Sequence, residues 1–240
     1  MSVGYSASPL HRISYLEPIE SAQAKPPPSS YPIIAALRRG VWDGRPTEFR
    51  SPSITDIVRW RDNVGEKYQS QLGEDLLWDE DSAFEQSEDM ATSADMFLRY
   101  TAAVLDQHGP AGSRFLVGMN RPPDSMLDAA FSEANRKGFA GRFPQLSLGA
   151  KYWFPFNRHL IIEEPNWRGN IERYGSLFQL RNEVDEIRAF VAEINPGATA
   201  WTAEKTTPDD ILSAAWQASD TVSRLCAGAV AQNVPLWTTG

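Results

Sequence analysis

The stretch from Gly175 to Gly197 constrains the fold more than any other part of the sequence. Ser176 and Gln179 have the spacing of a capping box, in which each side chain satisfies a backbone donor of the other residue. The segment covers fewer than three full heptads, which is too short to predict a coiled coil, so we expect an amphipathic helix that packs against a sheet. The apolar residues recur at alternating steps of three and four, the spacing of one helix face: Leu177, Leu180, Val184, Ile187, Val191 and Ile194.

Two short segments before this helix have the composition of β-strands. "AKYWFPF" and "HLIIEEP" are rich in aromatic and β-branched residues, and Asn157-Arg158 between them predicts the turn of a hairpin. We expect the core beneath the helix stripe to contain Phe154, Phe156, Leu160 and Ile162. Trp153 and Trp167 are candidates for a surface, because large aromatic residues at strand ends serve either a core or an interface.

The rest of the chain predicts mostly helices. Periodic apolar residues and end signals predict helices over 51–72, 92–109 and 124–138 and a last helix capped by Thr207. "SRFLVGM" is typical of a buried strand, and "NVPLW" of an edge strand. This mixture predicts a helix-rich α+β fold, with several helices packed on a small, mostly antiparallel sheet. We interpret residues 1–30, which end in "AKPPPSS", as an extended arm and 31–240 as a single domain.

Composition and charge exclude several classes of protein. The chain has 31 acidic and 23 basic residues and a net charge of −8, which argues against nucleic-acid binding and favours a basic partner. Cys226 is the only cysteine, so an intrachain disulfide and a cysteine-based metal cage are excluded. We see neither a secretory signal nor a run long enough to span a membrane, and we therefore expect a cytoplasmic protein without a membrane partner.

Common catalytic and cofactor motifs are absent from the sequence. It contains no Gly-x-Ser-x-Gly, no phosphate-binding Gly-x-x-x-x-Gly-Lys and no Gly-x-Gly-x-x-Gly. Only three histidines are scattered along the chain, and His159 and Glu163 would lie about 13 Å apart on an extended strand, too far for one metal ion. The basic loop "RKGFAGRFP" is explained by a helix end without an anion. We therefore predict no catalytic residue, cofactor or metal site.

An acidic segment over residues 74–89 is the most unusual feature of the composition. Eight acids occur in sixteen residues without any Lys or Arg, which is typical either of a solvated loop or of a negative surface that binds a positive one. The interleaved Leu76, Leu77, Trp78 and Phe84 would supply apolar anchors for such an interface. The candidate partner-binding residues are Glu74, Asp75, Trp78, Asp79, Glu80, Asp81 and Glu85.

The C-terminal part of the chain resembles a known group of proteins. "FPFNRHLIIEEPNW", "YGSLFQLRNEVDEIRAFVAEI" and "DDILSAAWQASDTVSRLCAGAVAQNVPLW" are similar in pattern to small bacterial α+β immunity proteins of polymorphic-toxin and secretion-system loci. The resemblance covers residues 150–240 and rests on pattern rather than on a diagnostic motif. It implies a cytoplasmic inhibitor that binds one cognate toxin domain, and it carries over no catalytic residue.

Three functional hypotheses follow from the sequence. The leading one is a protein-binding inhibitor that uses the acidic segment against a basic toxin surface. The second is a hydrolase in which Glu163 or Glu164 works with His159. The third is a structural protein of a phage or another assembly, which would hold its neighbours with the Pro-rich N-terminal arm.

Overall fold

The structure, a computed structural model, describes residues 2–10, 54–166, 170–197 and 210–239. Within these ranges the strands are β1 (Ser2–Ala7), β2 (Gln86–Ala91), β3 (Tyr152–Phe154), β4 (Ile162–Pro165), β5 (Ile171–Ser176) and β6 (Leu236–Thr239). The helices are α1 (Ile54–Leu72), α2 (Thr92–His108), α3 (Asp124–Lys137), α4 (Pro144–Ser147), α5 (Leu177–Ile194) and α6 (Ile211–Ala231). Two 3-10 helices, Gly109–Phe115 and Gly138–Ala140, follow α2 and α3.

The strands form one sheet in the order β2-β1-β6-β3-β5-β4. All neighbouring pairs are antiparallel except β3 and β5, which are parallel. With the helices on its faces, this sheet confirms the predicted helix-rich α+β fold. Among the described helices, none is both long enough and apolar enough to cross a membrane.

The two chain ends lie inside this sheet. Ser2–Ala7 pairs with both β2 and β6, so this part of the predicted arm belongs to the domain, whereas residues 11–53 of the arm and of the following domain lie outside the described residues. The C-terminal strand β6 pairs with β1 on one side and with β3 on the other. The prediction of an edge strand at "NVPLW" is therefore wrong, because the sequence does not reveal that the first residues supply a second neighbour.

A layer of helices covers one face of the sheet. The helix α5 packs on α6 as well as on β3 and β5, and α6 also packs on α2 and β1. The apolar stripe of α5 is fully buried from Leu177 to Val191. Trp153, a predicted surface residue, is also fully buried and belongs to the core under this layer. Trp167, the other surface candidate, lies outside the described residues.

The helix α1 covers the opposite face of the sheet. Its side chains Trp60, Val64 and Tyr68 are buried there, and the Trp60 indole N–H donates to the Tyr174 hydroxyl over 3.0 Å. The residues expected beneath the α5 stripe belong to this second core: Phe154, Phe156, Leu160 and Ile162. That prediction is wrong because side chains alternate along a strand, and Trp153 rather than its neighbours faces α5.

The local connections differ from the predicted ones in two places. The strands β3 and β4 do not form a hairpin, because β5 lies between them. "SRFLVGM" is not a strand: its first residues complete a 3-10 helix and Gly118 has a positive φ of 73°. A turn with that φ is incompatible with a continuous strand.

The helix ends are close to the predicted ones, but their caps differ. The Ser176 Oγ accepts from the Gln179 backbone N–H over 3.2 Å, whereas the Gln179 side chain donates to Asn157 over 3.1 Å, so only half of the capping box forms. Asp210 caps α6 by accepting from the Ser213 N–H over 2.8 Å. The predicted cap, Thr207, lies outside the described residues.

Candidate functional site

Exposed and covered side chains alternate along the acidic segment from Leu76 to Ala91. Every even-numbered residue in this range is half-buried or buried, and every odd-numbered residue is exposed. The chain bends at Glu80 and Asp81, and its covered side chains pack on the core beneath α1 before the bend and on the core of the helix layer after it. The exposed side chains Leu77, Asp79, Asp81, Glu85 and Asp89 of this segment are referred to below as the acidic face.

Contacts with three distant parts of the chain hold the first half of the segment in place. The Trp78 ring lies 4.8 Å from the Phe154 ring, and its indole N–H donates to Glu80 Oε1. The same oxygen accepts from the Leu10 backbone N–H over 3.1 Å. The Asp79 N–H donates to the Asn233 carbonyl over 2.8 Å. Trp78 and Glu80 therefore point inward and support the acidic face from behind.

The second half of the segment packs on α6. Phe84 and Gln86 lie against Gly228, where a Cβ atom would come within 2.9 Å and 2.7 Å of them. Glu88 accepts two hydrogen bonds from the Arg224 guanidinium, at 2.5 Å and 2.9 Å. A bidentate pair of this kind fixes the orientation of both side chains. The inner side of β2 is thus attached to the helix layer.

The acids of the segment divide by position into two sets. The even-numbered ones have partners: Glu74 pairs with Arg158 over 2.5 Å, Glu80 accepts from Leu10 and Trp78, and Glu88 pairs with Arg224. The odd-numbered acids Asp75, Asp79, Asp81, Glu85 and Asp89 are exposed to solvent. Glu74 is as exposed as the odd-numbered acids, so among the predicted partner-binding residues only Trp78 and Glu80 are turned toward the protein.

The acidic face has an apolar residue at one end and a local turn in its middle. Leu77 is 73% exposed, more than any other large hydrophobic residue in the described ranges. The Asp79 Oδ1 accepts from the Asp81 backbone N–H over 2.9 Å, which orders the chain between them. The sequence prediction gave Leu77 as one of four apolar anchors, but its partner-binding residues included Trp78 and neither Leu77 nor Asp89. The parity of the acids is the sequence signal that would have found both.

The residues of the predicted hydrolase do not come together. Glu163 pairs with Arg173 over 2.7 Å and Glu164 pairs with Lys67 of α1 over 3.0 Å. As neighbours in β4, the two carboxylates point to opposite faces of the sheet. His159 is exposed in the segment between β3 and β4. The two carboxylates are therefore part of separate ion pairs rather than of one pocket.

The basic loop after α3 is similarly used within the protein. Arg136 donates to Glu133 over 2.7 Å, Lys137 pairs with Asp106 over 3.0 Å, and Arg142 pairs with Glu186. These three cations of the loop therefore have partners within the protein.

The described residues contain neither a cluster of metal ligands nor an accessible thiol. In these ranges, no three or more His, Cys, Asp or Glu side chains lie close enough together to hold a metal ion. Cys226 is fully buried in α6, and burial raises the pKa of its thiol. A neutral thiol without access to solvent is unreactive.

Comparisons with family models, with curated proteins and with solved structures found no match for this chain.

Proposed function

We propose that the protein is a protein-binding inhibitor of the immunity type, which neutralises a cognate bacterial toxin by covering a basic surface of that toxin with the acidic face. One observation carries the proposal. The strict alternation along residues 76–91 directs the odd-numbered acids to solvent, while the even-numbered acids bind the protein's own groups. A merely solvated loop has no need for such a division.

The physics of association supports a role for this surface in binding. A cluster of exposed acids produces a negative field, which raises the association rate with a basic partner and disfavours acidic partners. Leu77 supplies apolar area that becomes buried on contact, as the central residues of interfaces usually do. Because Trp78, Glu80 and Glu88 fix the segment beforehand, little conformational entropy is lost on binding.

Co-expression with the product of the adjacent gene tests the proposal. We expect a stable complex that survives affinity purification, and rescue of growth if that product is toxic. In a variant with Asp79, Asp81 and Glu85 changed to Lys, the association rate constant at low salt should fall about tenfold or more, because like charges then face the partner. Surface plasmon resonance at several salt concentrations measures this rate constant.

A matched variant distinguishes the effect of the acidic face on binding from the effect of the net charge. Changing Asp62, Asp128 and Glu193 to Lys gives the same net charge, and these exposed acids lie on α1, α3 and α5. We expect this variant to retain at least most of the association rate. Equal binding by the wild type and the Asp79, Asp81 and Glu85 variant would exclude the acidic face as the binding surface.

A further inference from the structure

The strand β2 lies at one end of the sheet, and within the described ranges it pairs with β1 alone. A strand in this position keeps a row of unpaired backbone N–H and C=O groups, to which a further strand can be added. All six residues of β2 pair with β1 in one register without a bulge. The free edge is therefore as long as an ordinary strand of a globular protein.

A hydrogen bond on the other side of β1 shows which residues of β1 are directed to β2. The Ser8 N–H donates to the Pro235 carbonyl over 3.2 Å, just before β6. Because successive residues of an antiparallel strand direct their backbone groups to alternate neighbours, the even-numbered residues of β1 are directed to β6. The odd-numbered residues are directed to β2, and they are Val3, Tyr5 and Ala7.

The register then identifies the backbone groups at the free edge. The residues of β2 opposite Val3, Tyr5 and Ala7 are Met90, Glu88 and Gln86, and opposite residues of this kind exchange both of their backbone hydrogen bonds. The residues between them direct their N–H and C=O away from β1. These are Ser87, Asp89 and Ala91, and all three are exposed.

The two ends of the sheet differ in how they are protected against strand addition. The strand β4 has four residues and ends in Pro165, which has no N–H to donate. The longer strand β2 contains neither Pro nor Lys, and its protection is negative charge. Antiparallel pairing with a second copy would place Glu88 opposite Glu88 or Asp89 opposite Asp89 in its central registers. Because like charges opposite each other are destabilising, a second copy is disfavoured.

The side chains beside the free edge specify the strand that fits. On one face of β2, Asp89 is exposed and has no hydrogen-bond or ion-pair partner within the described part of the chain. On the other face Glu88 already pairs with Arg224, and Met90 is buried. A strand in which Lys or Arg alternates with uncharged residues would place its cations on the side of Asp89. Opposite charges directly across a strand pair are favourable.

We propose that β2 extends the sheet by adding an antiparallel strand of the partner protein in which Lys or Arg alternates with uncharged residues. Ser87 and Asp89 exchange backbone hydrogen bonds with the cationic residues of that strand, and the Asp89 carboxylate pairs with one of their side chains. This rests on the proposed function, since the strand belongs to the toxin that the acidic face binds.

Two isomeric peptides distinguish strand pairing from attraction between charges. Both are acetylated and amidated Val-Lys-Val-Lys-Val with two backbone N-methyl groups, placed on the two lysines in one peptide and on the second and third valines in the other. In the proposed pairing only the lysine N–H groups face β2, because residues directly opposite each other share a face. We expect saturable amide shifts at residues 85–91 of the ¹⁵N-labelled full-length protein with the valine-methylated peptide. The lysine-methylated peptide should bind about tenfold or more weakly, as for the loss of two hydrogen bonds.

Amide hydrogen exchange of the same complex reports on the backbone directly. In the free protein the amides of Glu88 and Met90 are bonded to β1 and should exchange slowly, whereas those of Ser87 and Asp89 should exchange fast. The valine-methylated peptide should slow exchange at Ser87 and Asp89. Attraction between charges alone would leave both amides unprotected.

Two variants of one residue give the control within the protein. Ser87→Pro removes an N–H that faces the free edge, a position at which an end strand tolerates proline. Ser87→Ala keeps that N–H, and both variants lose the hydrogen bond of the Ser87 hydroxyl to Ser6. We expect Ser87→Pro to bind the valine-methylated peptide about tenfold or more weakly than Ser87→Ala. If Ser87→Pro does not fold, the two peptides on the wild type decide.

The proposal is overturned by equal affinity of the two peptides, by fast exchange at Ser87 and Asp89 in the complex, by equal binding to the two variants, or by a lack of saturable shifts. Its failure is distinct from failure of the proposed function. A complex with the product of the adjacent gene that Ser87→Pro retains in full would refute strand addition alone. Peptide binding that protects Ser87 and Asp89, without any complex with that product, would refute the proposed function alone.

Discussion

Gly175 in β5 lies where the side chains of two other residues occupy the space beside the backbone. A Cβ atom at this position would overlap Gln145 Oε1 and would lie 2.8 Å from Trp153 Cδ1. Both neighbours are fully buried, and Gln145 Oε1 accepts from the Ser176 N–H over 3.0 Å. Neither side chain can therefore move without breaking packing or a hydrogen bond.

We accordingly expect Gly175→Ala to lower the free energy of unfolding by about 1–3 kcal/mol, the range for overpacking a core. Gly65→Ala in α1 is the matched control, since a Cβ atom there meets nothing within 4 Å. That change should raise the stability by about 0.5–1 kcal/mol, because alanine favours a helix interior. Urea unfolding measures both, and a Gly175→Ala protein as stable as the wild type would refute the packing argument.

Glu183 of α5 is a buried carboxyl group that binds the beginning of α4. Its two oxygens accept from the backbone N–H groups of Gln145 over 3.0 Å and of Leu146 over 3.1 Å. Burial raises the pKa of Glu183 well above its ordinary value, more than these hydrogen bonds lower it, and the nearby Glu186 and Asp106 raise it further. The folded protein therefore holds a proton that the unfolded chain releases at lower pH.

This difference predicts the pH dependence of stability. In the unfolded chain the carboxyl group loses its proton near pH 4.3, whereas in the folded protein it does so at a higher pH. Between the two values the folded state binds more protons, so the free energy of unfolding falls as the pH rises. Glu183→Gln removes this titration. The stability of the wild type minus that of the variant should therefore decrease from pH 4 to pH 8 in urea titrations, and a constant or rising difference would contradict the assignment.

The helix α6 connects the helix layer to the sheet, and its first turn depends on one side chain. It packs on α2, α5 and β1, and Asp210 accepts from the Ser213 N–H at its start. We expect Asp210→Ala to lower the free energy of unfolding by about 1 kcal/mol, the usual effect of removing a helix cap. Asp128→Ala within α3, where the carboxylate is exposed, is the control for charge. A loss of equal size in both variants in urea unfolding would argue against the cap.

The sequence predicts best those elements whose apolar pattern extends over many residues. The α5 stripe spans five turns, so its helix and its buried side follow from the sequence alone. The strand β3 has only three residues, all of them apolar or aromatic. An alternating pattern this short does not show which side chains face α5 and which face α1. The strand β1 lies within the predicted arm, although Val3, Tyr5 and Ala7 alternate with serine and glycine.

The candidate site was predicted as a region but not as a set of side chains. The composition of 74–89 identified the acidic segment, yet the partners of its even-numbered acids come from far along the chain. Arg158 is 84 residues from Glu74, and Arg224 is 136 residues from Glu88. No local pattern reveals such pairs. Parity groups Trp78 with Glu80 and Asp79 with Asp81, but the sequence does not say which of the two groups supports the face and which forms it.

At the scale of the whole molecule, the sheet depends on the pairing of two chain ends. The strand β6 joins β1 to β3, with Ser6 opposite Trp237 on one side and Tyr152 opposite Trp237 on the other. Without β6 the sheet would divide into β2-β1 and β3-β5-β4. The side chains of Leu236 and Trp237 enter opposite cores, one beneath the helix layer and one beneath α1. Four residues therefore connect both halves of the sheet and both of its faces.

Removal of residues 236–240 should consequently abolish the cooperative fold. Truncating a buried Leu or Trp side chain to Ala alone costs about 2–5 kcal/mol, and the deletion removes one of each together with the strand pairing. The stability of a whole domain is about 5–15 kcal/mol, so the combined loss is of the same size as the total. We expect the shortened chain to lack a cooperative urea transition followed by tryptophan fluorescence, and removal of Gly240 alone to leave the transition unchanged. A cooperative transition near the wild-type midpoint in the chain without 236–240 would mean that β6 is an accessory strand and that the two halves of the sheet hold together through the helices.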